Sequence, residues 1–233
     1  MTMLIAAAVF FLVLHLIVAG TRVRDVIVRA VGERAYLGGF SVASVLGIVW
    51  LIMSYNQVSA EGSALLWDLG PGVRHLGIIV IAIAAFFVVS GLFTPNPTSV
   101  GMEATATREA AGILRITRHP FLWGVALWAA FHLAVNGDAA SVILFGTFLV
   151  LAVAGTFSID AKRARKMADG WIGFAGRTSN VPFVAILGGR NSLKLGELLT
   201  YRQAVAPLVF LVLLFSHAWL FGVSPFPSGW VPF

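Results

Sequence analysis

The chain has no cysteine. Disulfides, thiolate metal sites, a cysteine nucleophile and covalent c-type haem attachment are therefore all excluded. Charge is the second scarcity: 11% of the residues are Asp, Glu, Lys or Arg, against 59% hydrophobic. A monomeric globule of that composition would expose more apolar surface than water tolerates. Six tracts, residues 1–21, 35–60, 75–102, 119–137, 139–159 and 203–233, carry no charged residue at all. A helix crosses a bilayer core of about 30 Å with about 20 apolar residues, so each tract is a candidate span. With no carboxylate or ammonium inside them, an ion or proton pathway built on charged side chains is disfavoured. Absent too are the Walker phosphate loop, the dinucleotide glycine motif, His-Glu-x-x-His and Gly-x-Ser-x-Gly.

The charge that is present falls in every second gap between the tracts. Arg22, Arg24, Arg29 and Arg34 lie in 22–34, and Arg108, Arg115 and Arg118 in 103–118. Eight more Lys and Arg lie in 160–202, and Arg74 stands alone in the other set of gaps. Fifteen cations on one side and one on the other mark the basic side as cytoplasmic. The sequence thus predicts an all-α, polytopic transmembrane helical bundle with both termini outside. It is read as one integral membrane domain over 1–233, with six spans at about 3–19, 38–54, 76–93, 120–136, 140–159 and 203–221. Residues 1–20 lack a basic n-region and a cleavage site, so the first span is expected to be retained. The net charge of +6 faces anionic headgroups, so membrane lipids are expected partners and nucleic acid is not.

Between the spans, Asn136-Gly137-Asp138 predicts a tight helical hairpin whose glycine tolerates positive φ. Thr94-Pro95-Asn96-Pro97-Thr98 must end the third helix, since proline lacks an amide donor and disfavours helix before it. The mixture of charged and apolar residues over 103–118 predicts a surface amphipathic helix. Segment 160–202 contains Trp171 and the apolar run 181–187, and is expected to fold back on the basic inner face or to make a short re-entrant piece. The tail 222–233, with Trp230, suits an interfacial anchor.

Three histidines fall at membrane depth: His15, His132 and His217. A neutral imidazole there suits a haem iron, because the porphyrin is apolar and fills space between helices. The alternative is a ring that only donates to a backbone carbonyl. Trp128 lies one turn before His132 on the same face, either beside that site or packed toward lipid. His119 opens the fourth span in Arg118-His119-Pro120, with Trp123 one turn on. It is 13 residues from His132, about 20 Å along a helix, so the two cannot ligate one metal. His119 is expected to bind an acidic headgroup or a polar group of a substrate, or to cap the helix. His75, beside Arg74 at the far boundary, invites the same two readings. Arg22 and Arg24, closing the first span, would clamp haem propionates or phospholipid. Asp160 and the cations to Lys166 read as a stop-transfer cluster.

These residues resemble the NnrU family of bacterial membrane proteins. The resemblance runs through His15 to Arg24, Gly32-Glu33-Arg34, Trp67 with Arg74-His75-Leu76, and Asn96-Pro97-Thr98. It continues through Arg118-His119-Pro120-Phe121-Leu122-Trp123-Gly124, His132 with Asn136-Gly137-Asp138, and Arg177-Thr178-Ser179-Asn180. It implies a multi-pass protein of the bacterial inner membrane, associated with nitrite and nitric oxide reduction. The family is also similar to the plant 15-cis-ζ-carotene isomerases, membrane enzymes that carry non-covalent haem b. That similarity implies His15 and His132 as the axial ligands. The cysteine that those relatives carry three residues before the second ligand is Ala129 here. His15 and His132 lie at depths that differ by about 9 Å at 1.5 Å per residue, which leaves His217 as a substitute ligand. A fainter resemblance, to isoprenylcysteine-type methyltransferases, rests on Arg-His-Pro followed by an aromatic and Gly. The stretch after the hairpin that is Glu-rich in those enzymes is basic here. Three functions remain: a haem b protein serving a nitrogen-oxide reductase system, a haem-dependent cis–trans isomerase of a hydrophobic polyene, and a non-enzymatic membrane scaffold.

Overall fold

A computed structural model describes residues 1–167, 169–198, 200 and 203–226. Among them the secondary structure is helical, with one isolated bridge, Leu65 to Asp138, and no strand. Helix α1 spans Thr2–Leu12 and runs on as a π-helical turn over Val13–Val18. Helix α2 covers Val23–Val31, turned by 79° from the segment before it. Then come α3 (Glu33–Glu61), α4 (Gly77–Phe93), α5 (Pro120–Val135) and α6 (Ala139–Met167). Helices α7 (Asp169–Arg177) and α8 (Val205–Phe221) complete the described set of longer helices.

The six charge-free tracts thus coincide with α1, α3, α4, α5, α6 and α8, but their lengths differ from the equal spans expected. Glu33–Glu61, Pro71–Phe93 and Ala139–Met167 are long and apolar enough to cross a membrane, and the bent pair α1–α2 makes a fourth candidate. Helices α5 and α8 are apolar but have 16 and 17 residues. In space α4, α5 and α6 pack in sequence, α8 lies against α4, and α1 with α3 lies against α6. Small residues allow the α4–α5 approach. A Cβ on Gly124 would sit 2.7 Å from the Ala84 carbonyl oxygen, and one on Gly91 would sit 2.5 Å from the Phe121 amide.

The proline stop acts as expected: α4 ends at Phe93, and Thr94 is extended before Pro95. The hairpin also forms, but for a different reason. Gly137 does not have positive φ; what requires glycine is the strap at 62–70 crossing over the turn. A Cβ there would fall 1.9 Å from the Trp67 carbonyl oxygen. The Gly137 carbonyl accepts from the Leu66 and Trp67 amides at 2.7 and 3.3 Å, and Trp67 Nε1 donates to Ala134 at 3.2 Å.

The surface helix expected over 103–118 does not form. The segment is a 3-10 turn at Glu103–Thr107, a glycine with φ 56° at Gly112, and one helical turn at Ile113–Ile116. All four residues of that last turn are buried, because 169–198 folds back over them. Trp171 and Phe174 of α7 join Ile113, Leu114 and Phe87 in one apolar core at the basic end. Arg115 goes into that core paired with Glu197, at 2.7 and 3.0 Å, and Glu197 also accepts from the Gly112 amide. Residues 227–233 of the expected interfacial tail, Trp230 included, lie outside the described residues.

Candidate functional site

His15 sits in the π-helical turn, a local widening that often marks functional positions. Its Nδ1 faces the Phe11 carbonyl oxygen at 2.8 Å, and its ring lies 4.3 Å from Phe11 and 5.2 Å from Phe40. His132 repeats the arrangement on α5: Nδ1 faces the Trp128 carbonyl at 2.9 Å, with the ring 5.0 Å from both Trp128 and Phe145. A carbonyl only accepts, so in each neutral ring the proton is on Nδ1 and the lone pair is on Nε2. A histidine whose Nδ1–H is fixed by backbone is oriented as metal-ligating histidines are.

Phe148 of α6 joins the two surroundings, 6.0 Å from Phe11 and 5.6 Å from Trp128. Both histidines therefore border one aromatic cluster laid on α6. Helix α6 also measures their depth. His132 is level with Phe145, Phe11 with Phe148, and Gly20 with Ser158, whose Oγ donates to the Gly20 carbonyl at 3.3 Å. Interpolation puts His15 about seven residues further along α6 than His132, roughly 10 Å at 1.5 Å per residue. Asn136 Nδ2 donates to the His132 carbonyl at 2.8 Å, satisfying a helix-end acceptor. His217 on α8 holds its Nδ1 on the Val223 carbonyl at 2.7 Å.

The second cluster lies at the basic end and centres on Asp160. Its carboxylate accepts from Arg118 Nε at 2.9 Å and Nη2 at 2.5 Å, from His119 Nε2 at 2.7 Å and from Asn180 Nδ2 at 2.9 Å. The backbone is tied in as well: Trp123 Nε1 donates to the Asn180 carbonyl at 2.8 Å, and Asn96 Nδ2 to the Arg118 carbonyl at 2.9 Å. His119 is 2% exposed, so the expected contact with headgroup or substrate is corrected. Burial pushes its imidazole below the ordinary range, against the opposing pull of Asp160. The neutral ring donates through Nε2–H and positions α5 from its first residue. Asp160 is no stop-transfer residue but the hub that joins both helices of the hairpin to the folded-back segment. A sequence signal for it existed: residues 118–119 and 160 stand at similar distances from the 136–138 turn, on antiparallel helices.

The remaining expected residues divide between the two ends. Arg24 pairs with Glu33 and Asp25 and lies over the Tyr36 ring at 5.1 Å, so it is engaged within the protein rather than open to a propionate. Arg22 lines a pocket at the basic end. Arg74 and His75 lie in and just after the helical turn Pro71–Arg74 at the opposite end, apart from the Asp160 cluster.

The family described as NnrU protein matches residues 3–225. The chain belongs to the NnrU family. This bears out the resemblance carried by the motifs. Two curated relatives of the chain have a named activity. The chloroplastic 15-cis-zeta-carotene isomerase of Arabidopsis thaliana is 27% identical over 172 residues, which is 73% of this chain and 47% of the relative. The chloroplastic 15-cis-zeta-carotene isomerase of Zea mays is 26% identical over 167 residues, 71% of this chain and 45% of the relative. The chain spans about half the length of these relatives. No solved structure matches it. Family and apolar helices together point to a membrane protein.

Proposed function

We propose that the chain is an integral membrane cis–trans isomerase of a hydrophobic polyene, of the 15-cis-ζ-carotene kind, working with haem b held between His15 and His132. The named activity of the two relatives favours this over a role in nitrogen-oxide respiration. The observation that carries the site is the histidine pair: each Nδ1 is held by its own helix, each Nε2 is left for a ligand, and both rings border one aromatic cluster. Among the described residues no three His, Asp or Glu are grouped as a metal cage. Two imidazoles therefore suit a metal whose other ligands come from its own macrocycle. The same set of helices is read as six spans, α1, α3, α4, α5, α6 and α8, with α2 along the basic interface and both termini outside. The proposed location is the inner membrane of a bacterium.

When bound, haem supplies the one-electron chemistry that lowers the barrier to rotation about a C=C bond. The protein's own part is binding and exclusion. Phe11, Trp128, Phe145 and Phe148 offer ring faces that suit a flat conjugated chain. The charge-free tracts keep water from that region, and the substrate enters laterally between helices. The Asp160 hub fixes the basic end of the α5–α6 hairpin and with it the register of His132 against Phe145. Absorption spectra of detergent-purified protein, before and after dithionite, test the cofactor. We expect sharp α and β bands on reduction, with most haem lost in His15→Ala and His132→Ala and retained in His217→Ala. A featureless spectrum after haem is supplied during expression would leave the scaffold reading. Loss in His217→Ala with retention in His15→Ala would make His132 and His217 the residues that hold the haem.

A further inference from the structure

At the basic end a half-open pocket of about 430 Å³ lies between the start of α2 and the end of α6, lined by Arg22, Asp25, Arg29, Arg165 and Lys166. Four cations meet one carboxylate there. That carboxylate is already taken: Asp25 Oδ1 lies 3.2 Å from Lys166 Nζ and 3.7 Å from Arg24 Nη1. Among the described residues Arg22, Arg29 and Arg165 form no ion pair. Three guanidinium groups thus line one pocket whose single carboxylate, Asp25, is already paired with Lys166 and Arg24, and the net positive charge left there is one that an anion would balance. Guanidinium is the side chain best matched to phosphate, through its paired N–H donors.

The surroundings narrow the ligand. Helix α2 has no buried residue and turns 79° from the segment before it, as a helix lying in a bilayer surface would. The pocket then opens at headgroup depth. Its volume falls within the range of roughly 300–1,000 Å³ typical of small-molecule sites, too large for a single phosphate. We propose that this pocket is a specific site for an anion carrying two phosphate groups, held by Arg22, Arg29 and Arg165. Two sources offer that chemistry, a two-phosphate lipid headgroup and a free diphosphate. The site rests on the membrane placement given above but on neither haem nor isomerisation, so its binding assay can fail while the isomerase reading stands.

Purified full-length protein in neutral detergent is titrated with three probes: cardiolipin, phosphatidylglycerol at equal phosphate, and inorganic diphosphate. Binding is read from the shift in thermal midpoint and from lipid retained in native mass spectrometry. Arg29→Gln/Arg165→Gln is compared with Arg34→Gln/Arg108→Gln, which removes equal charge from exposed positions that do not line the pocket. All four arginines are exposed, so both variants are expected to keep the wild-type midpoint without ligand. Losing two charge-assisted contacts should weaken cardiolipin roughly tenfold or more in the pocket variant, with at most about a twofold change in the control. Diphosphate binding with the same dependence on Arg29 and Arg165 supports a soluble source, and binding of cardiolipin alone supports the headgroup. Equal loss in the two double variants, or no preference for cardiolipin over phosphatidylglycerol together with no diphosphate binding that depends on Arg29 and Arg165, would overturn the proposal.

Discussion

Replacing Asp160 with Ala removes one carboxylate and strands four donors. Arg118, whose side chain is 12% exposed, loses its ion pair, and His119, whose side chain is 1% exposed, loses the acceptor of its Nε2–H. Asn180 loses its acceptor at the same time. Breaking a buried pair from one side typically costs about 3–5 kcal/mol, because the remaining charge is left without compensation. For a chain of 233 residues that corresponds to a fall in thermal midpoint of roughly 6–20 °C. The assay is thermal denaturation in detergent followed by circular dichroism. A double-mutant cycle locates the cause. If the stranded guanidinium dominates, Arg118→Met/Asp160→Leu should be less damaging than the two single changes summed, by about 1–3 kcal/mol. Asp160→Ala within about 2 °C of wild type, or strict additivity in the cycle, would refute the hub.

Two further outcomes are expected. Gly137→Ala would drive a methyl group into the Trp67 carbonyl, 1.9 Å from the ideal Cβ position, and should destabilise by about 1–3 kcal/mol. Gly146→Ala, with nothing within 4 Å, should be neutral or slightly stabilising, and equal effects at the two sites would contradict the strap. The hydrogen bond from Arg115 holds the Glu197 carboxyl down at about 2. The folded-state value is depressed, so its stabilisation is complete above the ordinary carboxylate range and is lost as pH falls from about 4.5 toward 2. Thermal midpoints should decline over that window, and less steeply in Glu197→Gln; identical acid limbs would show that the pair contributes nothing.

What the sequence disclosed was governed by local rules. Pro95 and Pro120 mark a helix end and a helix start because they lack an amide donor, and both boundaries lie where expected. The charge-free tracts mark the apolar helices for the same kind of reason. What stayed hidden depends on partners far along the chain. Arg115 and Glu197 are 82 residues apart, so nothing near Arg115 says that it will be buried. The same fold-back turned an apparently amphipathic stretch into core. Gly137 was read through φ, whereas the cause is the strap from 62–70. For the candidate site, residue type and depth narrowed the choice to His15, His132 and His217, and the family resemblance pointed to the first two, but neither discloses their joint border on Phe148. His119 was misplaced because its position beside Arg118 and Pro120 says interface, and only the return of α6 brings Asp160 to it.

The most direct test supplies 15-cis-ζ-carotene to the reduced, haem-loaded protein reconstituted in lipid and follows the isomers by chromatography. The account predicts conversion to the 15-trans isomer by wild type, lost in His132→Ala and retained in His75→Ala. Haem-loaded wild-type protein that leaves the 15-cis bond unchanged would contradict it.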